Sequence, residues 1–320
     1  MKKDSRKLSV KIPPLKIKTI VVSPILTDQE IKKKEGLFFD EEAYSQIINE
    51  SADVWIKMPD GTQKLLLKFR KGIIAKELAE LPIASFKDYL SKTSSIRGKA
   101  AGKIDLSTLS KNIKEAVSPD NYKSRVVYKN GTISDYYVAN KVHSMIAGFF
   151  DKPTLHDKSE VLRQNKLPCR LTAFSKNEIE KWQAVMPLIR QVDKLYKSIY
   201  PAGYKYQSEY CQKTPDYCID GTIFTTITVN LNWRTALHQD AGDLRNGYSA
   251  LMVAEQGTWL GAYLGYPQYG IAVNLRQGDL LIKDPHQFHA NTKFIPESDD
   301  AVRMTLIYYY REGIMNCQPD

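Results

Sequence analysis

His238-Gln239-Asp240, with His289 further along and Arg303 inside the alternating stretch Val302-Arg303-Met304-Thr305-Leu306-Ile307-Tyr308, is the pattern that most restricts the fold of this chain. On an extended segment, residues separated by one leave the backbone on the same side, so His238 and Asp240 can chelate one ion together. A third ligand must then come from elsewhere, which requires strands distant in sequence to converge. Two imidazoles and one carboxylate occupy one face of a ferrous ion and leave the opposite positions open for an oxidant and a co-substrate. The tract Gly278–Asn291 offers His286 and His289 at an odd offset, on opposite faces of a strand, so only one of them is expected to bind. Three of the five histidines in the chain fall between 238 and 289, a concentration that a scattered structural set would not give.

Arg303 supplies a fixed cation for the distal carboxylate of a keto acid, a task suited to a planar guanidinium that binds carboxylate through two parallel hydrogen bonds. Along 302–311 the polar positions Arg303, Thr305, Tyr309 and Arg311 alternate with Val302, Met304, Leu306 and Tyr308, so one face packs and the other lines a polar cavity. Thr305 joins Arg303 as a candidate cofactor contact. The alternative is an edge strand with a solvated arginine. Upstream, Ile223, Ile227, Val229, Leu231 and Trp233 alternate with Thr226, Thr228, Asn230, Asn232 and Arg234. That polar face either points into a site or forms the outer surface of an antiparallel sheet.

Taken together, these segments resemble the TET/JBP group of iron(II)- and 2-oxoglutarate-dependent dioxygenases, which oxidise the methyl group of 5-methylpyrimidines in DNA. The resemblance runs through Phe224–Asn230, Asn232–Leu244, Gly278–Leu281, His289–Thr292 and Arg303–Tyr309, with upstream likeness at Leu66–Lys71, Arg97–Gly102, Ile146–Asp151 and Cys169–Phe174. It implies a double-stranded β-helix with His238, Asp240 and His289 as iron ligands, Arg303 as the 2-oxoglutarate anchor, and His286 outside the ligand set. It also implies Fe(II), 2-oxoglutarate and O2 as cofactor and co-substrates, DNA as partner, and 5-methylcytosine or thymine as the base hydroxylated. A methyl group inside a duplex cannot reach a buried iron, so the base must be flipped out. Candidate contacts to it are Asn230, Asn232, Asp243 and Tyr309, each of which could equally support the metal ligands; Arg170 is a candidate for the co-substrate or a phosphate. Two other readings are the same iron chemistry on RNA, a free nucleotide or a protein, and a catalytically silent DNA-binding module.

The net charge of +10 favours a polyanionic partner. Much of it sits in the first twenty residues, where seven lysines and arginines face Asp4 alone. Lys92, Arg97, Lys99 and Lys103 surround the small-residue run Gly98-Lys99-Ala100-Ala101-Gly102, and Arg97 and Lys99 are candidate substrate contacts, with a solvated loop as the alternative. The four cysteines, Cys169, Cys211, Cys218 and Cys317, form no CxxC pair, which argues against structural zinc and fits a reducing compartment. No hydrophobic run approaches the length of a membrane span and no secretory core opens the chain, so a soluble intracellular protein acting where DNA is found is expected, with a monomer favoured.

The fold class expected is α+β, a jelly-roll core buttressed by helices and an N-terminal lobe. One catalytic domain is expected overall, divided into a basic flexible arm over 1–35, an N-terminal lobe with buttressing helices over 36–220 and the catalytic core over 221–320. Ser175-Lys176-Asn177-Glu178 predicts a capping box before a helix whose apolar stripe runs from Ile179 to Ile199, bent at Pro187.

Overall fold

The computed structural model describes residues 16–108, 122–127, 130–152 and 169–317; the first fifteen residues of the basic arm lie outside them. Strands β1 (Lys18–Val22), β2 (Gln46–Ile48), β3 (Ala52–Lys57) and β4 (Gln63–Arg70) come first, then β5 (Ser144–Phe150) and the short β6 (Arg170–Leu171). The C-terminal part holds β7 (Thr226–Leu231), β8 (Ser249–Gln256), β9 (Leu264–Tyr266), β10 (Ile271–Val273), β11 (Leu280–Lys283), β12 (Ala290–Asn291) and β13 (Val302–Tyr309). Nine of them form one sheet in the order β1-β3-β4-β11-β8-β13-β7-β5-β6, and a second sheet runs β12-β9-β10-β2.

Burial on both faces of the large sheet explains its sequence. β7 and β13 pair antiparallel with Ile227 opposite Tyr308, Val229 opposite Leu306 and Asn230 opposite Thr305. Because side chains alternate, Ile227, Val229, Met304, Leu306 and Tyr308 share one face, where they pack on the helical side of the molecule. There they meet Val185, Leu188, Ile189 and Val192 of a long helix, Ile179–Ile199. Fully burying each such side chain contributes roughly 1.5–3 kcal/mol. The opposite phase, Thr228, Asn230, Arg303, Thr305 and Tyr309, faces a cavity between the sheets. A second apolar core closes the space beside that cavity: Leu251, Val253 and Leu281 of the large sheet pack against Leu264, Tyr266, Ile271 and Val273 of the small one.

Several expectations are corrected. Residues 18–33, assigned to a flexible arm, form β1, parallel to β3, and a capped helix, Asp28–Lys33, in which Thr27 and Glu30 make the reciprocal capping box. β3, β4 and β5, assigned to the N-terminal lobe, pair into the large sheet with strands of the 221–320 segment. The capping box at Ser175 is not made: Glu178 is the N-cap without a side-chain bond, and the Ser175 hydroxyl instead accepts the Gly148 N–H at 2.8 Å. The helix continues through Pro187, and its first residue, Ile179, is exposed because the buried stripe begins at Trp182. Finally, Cys169 and Cys317 are joined as a disulfide with Cα atoms 5.6 Å apart, while Cys211 and Cys218 are buried free thiols.

Candidate metal centre and its cavity

The two histidines of the pattern meet through their backbones. His238 and His289 form an antiparallel bridge in which each N–H donates to the other's carbonyl at 3.0 Å, and the Asp240 N–H donates to Pro285 at 3.0 Å. The side chains converge as a result: ligand atoms of His238, Asp240 and His289 all lie within 4.8 Å of one another. Nδ1 of His238 faces the Ala236 carbonyl and Nδ1 of His289 the Gln287 carbonyl, both at 2.8 Å. A carbonyl can only accept, so both Nδ1 atoms carry a proton and Nε2 is the ring atom each histidine can offer a metal ion, with the Lys283 ammonium 3.2 Å from that of His289. His289 is held well below the usual imidazole range, first by burial and then by the Lys283 ammonium, so it is neutral. Burial raises the Asp240 carboxyl, but the Lys283 ammonium and the bond to His238 outweigh it and hold it well below the usual carboxylate range. Two imidazoles, one carboxylate and a side open to the cavity fit a divalent ion that keeps positions for other ligands. His286 is turned away, its Nε2 at 3.2 Å from the Leu244 carbonyl.

The cavity measures about 440 Å³ and runs from this triad to Arg303. Arg303 is only 3% exposed, and its Nε has no partner. Burial pushes its guanidinium down to about 10, with Glu255 opposing the shift, so it remains a cation at neutral pH. A buried cation with an unused donor is costly unless an anion meets it. Ser144 donates to Asn230 Oδ1 at 2.6 Å, and Asn230 Nδ2 donates to the Thr305 hydroxyl oxygen at 3.1 Å, which leaves the hydroxyl proton of Thr305 for a group in the cavity. Arg97, Asp243 and Tyr309 also line the cavity. Arg97 Nε and Asp243 Oδ1 are buried without partners, and burial with the nearby Asp240 raises the Asp243 carboxyl well above its ordinary range.

Residues 154–312 of this chain are similar to Tet_JBP, the oxygenase domain of the 2OGFeDO superfamily. The chain is 35% identical over 175 residues to thymine dioxygenase JBP1 of Trypanosoma brucei brucei, covering 54% of this chain and 19% of that protein. It is 36% identical over 174 residues to the JBP1 of Crithidia fasciculata, covering 53% and 20%. The chain thus spans about a fifth of the length of these relatives. Among solved structures, the complex of NgTET1 with 5mC DNA superposes with a TM-score of 0.50 at 12% identity, covering 91% of this chain and 94% of that one, a likeness of fold. The sheet pair described above is a double-stranded β-helix.

The structure gathers His238, Asp240, His289, Arg303, Thr305, Asn230, Asp243 and Tyr309 of the matched segment, with Arg97 and Lys99 from outside it, around one cavity. Two expected site residues are elsewhere. Asn232 is exposed and takes a left-handed turn at φ 48°, where its side chain accepts the Arg303 N–H at 2.7 Å; it shapes the strand end and does not face the site. Arg170 lies over the Phe150 ring with its Nε donating to the Lys152 carbonyl, lining a separate hollow. Lys99 reaches the cavity but is paired with Glu35. The residues not foreseen are Trp233, Gln239, Asn291 and Lys283, which line the cavity, and Arg311, read only as part of a polar phase. Arg311 pairs with Asp151 and packs so close to Gly242 that a Cβ there would lie 2.6 Å from its guanidinium.

Proposed function

We propose that this chain is an iron(II)- and 2-oxoglutarate-dependent dioxygenase that hydroxylates the 5-methyl group of a pyrimidine in DNA, thymine before 5-methylcytosine. The observation that carries the reading is one cavity that joins a convergent His238–Asp240–His289 triad to a buried guanidinium with an unused donor. The named substrate of the curated relatives, thymine, sets the order of the two bases.

His238, Asp240 and His289 would hold the iron, and Arg303 with the Thr305 hydroxyl would hold the distal carboxylate of 2-oxoglutarate. When bound with oxygen, this pair supplies an oxidant able to insert one oxygen atom into a methyl C–H bond, with succinate and carbon dioxide as the co-products. The chain's own work is positioning. Leu251, Leu264 and Ile307 line the cavity with apolar surface that keeps water from the reacting centre. A flipped base entering past Trp233 would have an indole to stack on, and the buried Asp243 carboxyl, whose Oδ1 has no partner, would meet its polar edge. Half-buried Arg97 adds positive charge to the cavity wall for the attached phosphate.

The test is product formation. The protein is incubated with ferrous salt, 2-oxoglutarate, air and duplexes carrying thymine alone or 5-methylcytosine, then the DNA is digested to nucleosides for mass spectrometry. The expected outcome is 5-hydroxymethyluracil nucleoside from the first duplex, abolished in His238→Ala with DNA binding kept. Oxidation of 5-methylcytosine alone would reassign the base. Succinate formed without oxidised nucleoside on either duplex would remove DNA as substrate.

A further inference from the structure

Lys283 is the only buried lysine among the described residues. It closes β11, and its ammonium stands 2.6 Å from Asp240 Oδ2 and 3.2 Å from His289 Nε2. The proton of His289 is on Nδ1, facing the Gln287 carbonyl, so Nε2 has a single lone pair. An ammonium offers only donors, and that lone pair is what it engages. A metal ion bound by His289 needs the same lone pair. The two bonds exclude each other.

We propose that Lys283 is a positioning residue of the metal centre, an internal cation that holds Asp240 and His289 in place and must release His289 before a divalent ion can bind. The proposal rests on reading His238, Asp240 and His289 as metal ligands, and is independent of the substrate. Two effects act in the same direction. The lysine competes directly for one of three ligand atoms, and its charge partly cancels that of Asp240, so an incoming ion meets a near-neutral site with a like charge beside it. Of the other charged groups lining the cavity, Glu35 is paired with Lys99 and Arg311 with Asp151, and Arg97 adds positive charge. The four-carbon stem lets the ammonium withdraw from His289 while keeping its bond to Asp240, so the carboxylate stays oriented as the ion enters. Lys283 therefore sets metal affinity below what the bare triad would reach.

Lys283→Met keeps the length and apolar bulk of the stem and removes the charge. Full-length protein, stripped with a chelator and desalted, is titrated with Co(II) by calorimetry and by visible absorbance. The expected result is binding at least about tenfold tighter in Lys283→Met than in the unsubstituted chain. No gain is expected in Lys283→Arg, and the melting temperature of stripped Lys283→Met should fall. A residue that merely supported the fold would lower stability without raising affinity. Equal or weaker Co(II) binding by a cooperatively melting Lys283→Met overturns the proposal; if that variant does not fold, Lys283→Gln must show the same gain. His238→Ala separates the two levels: if it binds Co(II) as well as the unsubstituted chain, the ligand assignment fails and the proposal with it. If binding is lost there and unaltered in Lys283→Met, the proposal alone fails.

Discussion

Arg303 sits at the polar phase of β13, where its guanidinium is buried beyond the reach of water and its Nε bonds to nothing in the protein. Removing it takes away two charge-assisted bonds to a carboxylate, each worth about 1.5–3 kcal/mol. Arg303→Met should therefore raise the KM for 2-oxoglutarate by about a hundredfold or more, read as succinate formed against co-substrate concentration, with Co(II) affinity unchanged. An unchanged KM would dismiss Arg303 as the anchor. At this scale the sequence is most legible where a rule is short-ranged: a two-residue offset places His238 beside Asp240, and strand alternation turns Arg303, Thr305 and Tyr309 inward. Asn232 breaks that rule because the strand ends at Leu231 and the next residue turns left-handed. Lys283 could not be foreseen. It stands in an apolar run, Leu280-Leu281-Ile282, and only the fold brings it to Asp240.

β5 shows how an element is fixed by one backbone position. Gly148 has φ +85°, and a Cβ added there would lie 2.6 Å from the Thr225 carbonyl of the chain leading into β7. Its N–H donates to Ser175 and its carbonyl accepts from the Thr172 N–H, so the entry to the long helix is tied to the sheet at this residue. Gly148→Ala should cost roughly 2 kcal/mol or more of unfolding free energy, measured by denaturant titration, because both the conformation and the space are denied to a methyl group. A variant as stable as the parent would mean that β5 can shift against β7. The same contact explains why the capping box was misread: Ser175 has the right spacing to Glu178, but a buried N–H from another element claims its hydroxyl. β7 and β13 were readable because each buries one face and exposes the other to the cavity. β3 and β4 were not, because their place in the sheet beside β11 depends on pairing across some two hundred residues of chain.

Across the whole molecule, the Cys169–Cys317 disulfide joins the segment before β6 to the end of the described chain, with a sequence separation of 148. No spacing rule could have shown that pairing, since the two residues meet only after both sheets are assembled. Peptide mapping without reductant should recover the 169–317 cross-link, with alkylation of Cys211 and Cys218 only after unfolding. Cys317→Ser should lower stability by roughly 2–4 kcal/mol. Ready alkylation of Cys169 in native protein would instead mean that the pair is open. The His238–His289 bridge couples the molecule more tightly at its centre, since each amide hydrogen is held by the carbonyl opposite. Deuterium from the solvent can enter at either position only by unzipping both, so NMR should find the two amides exchanging at one common rate. Independent rates would reveal a hinge at which one imidazole swings off alone.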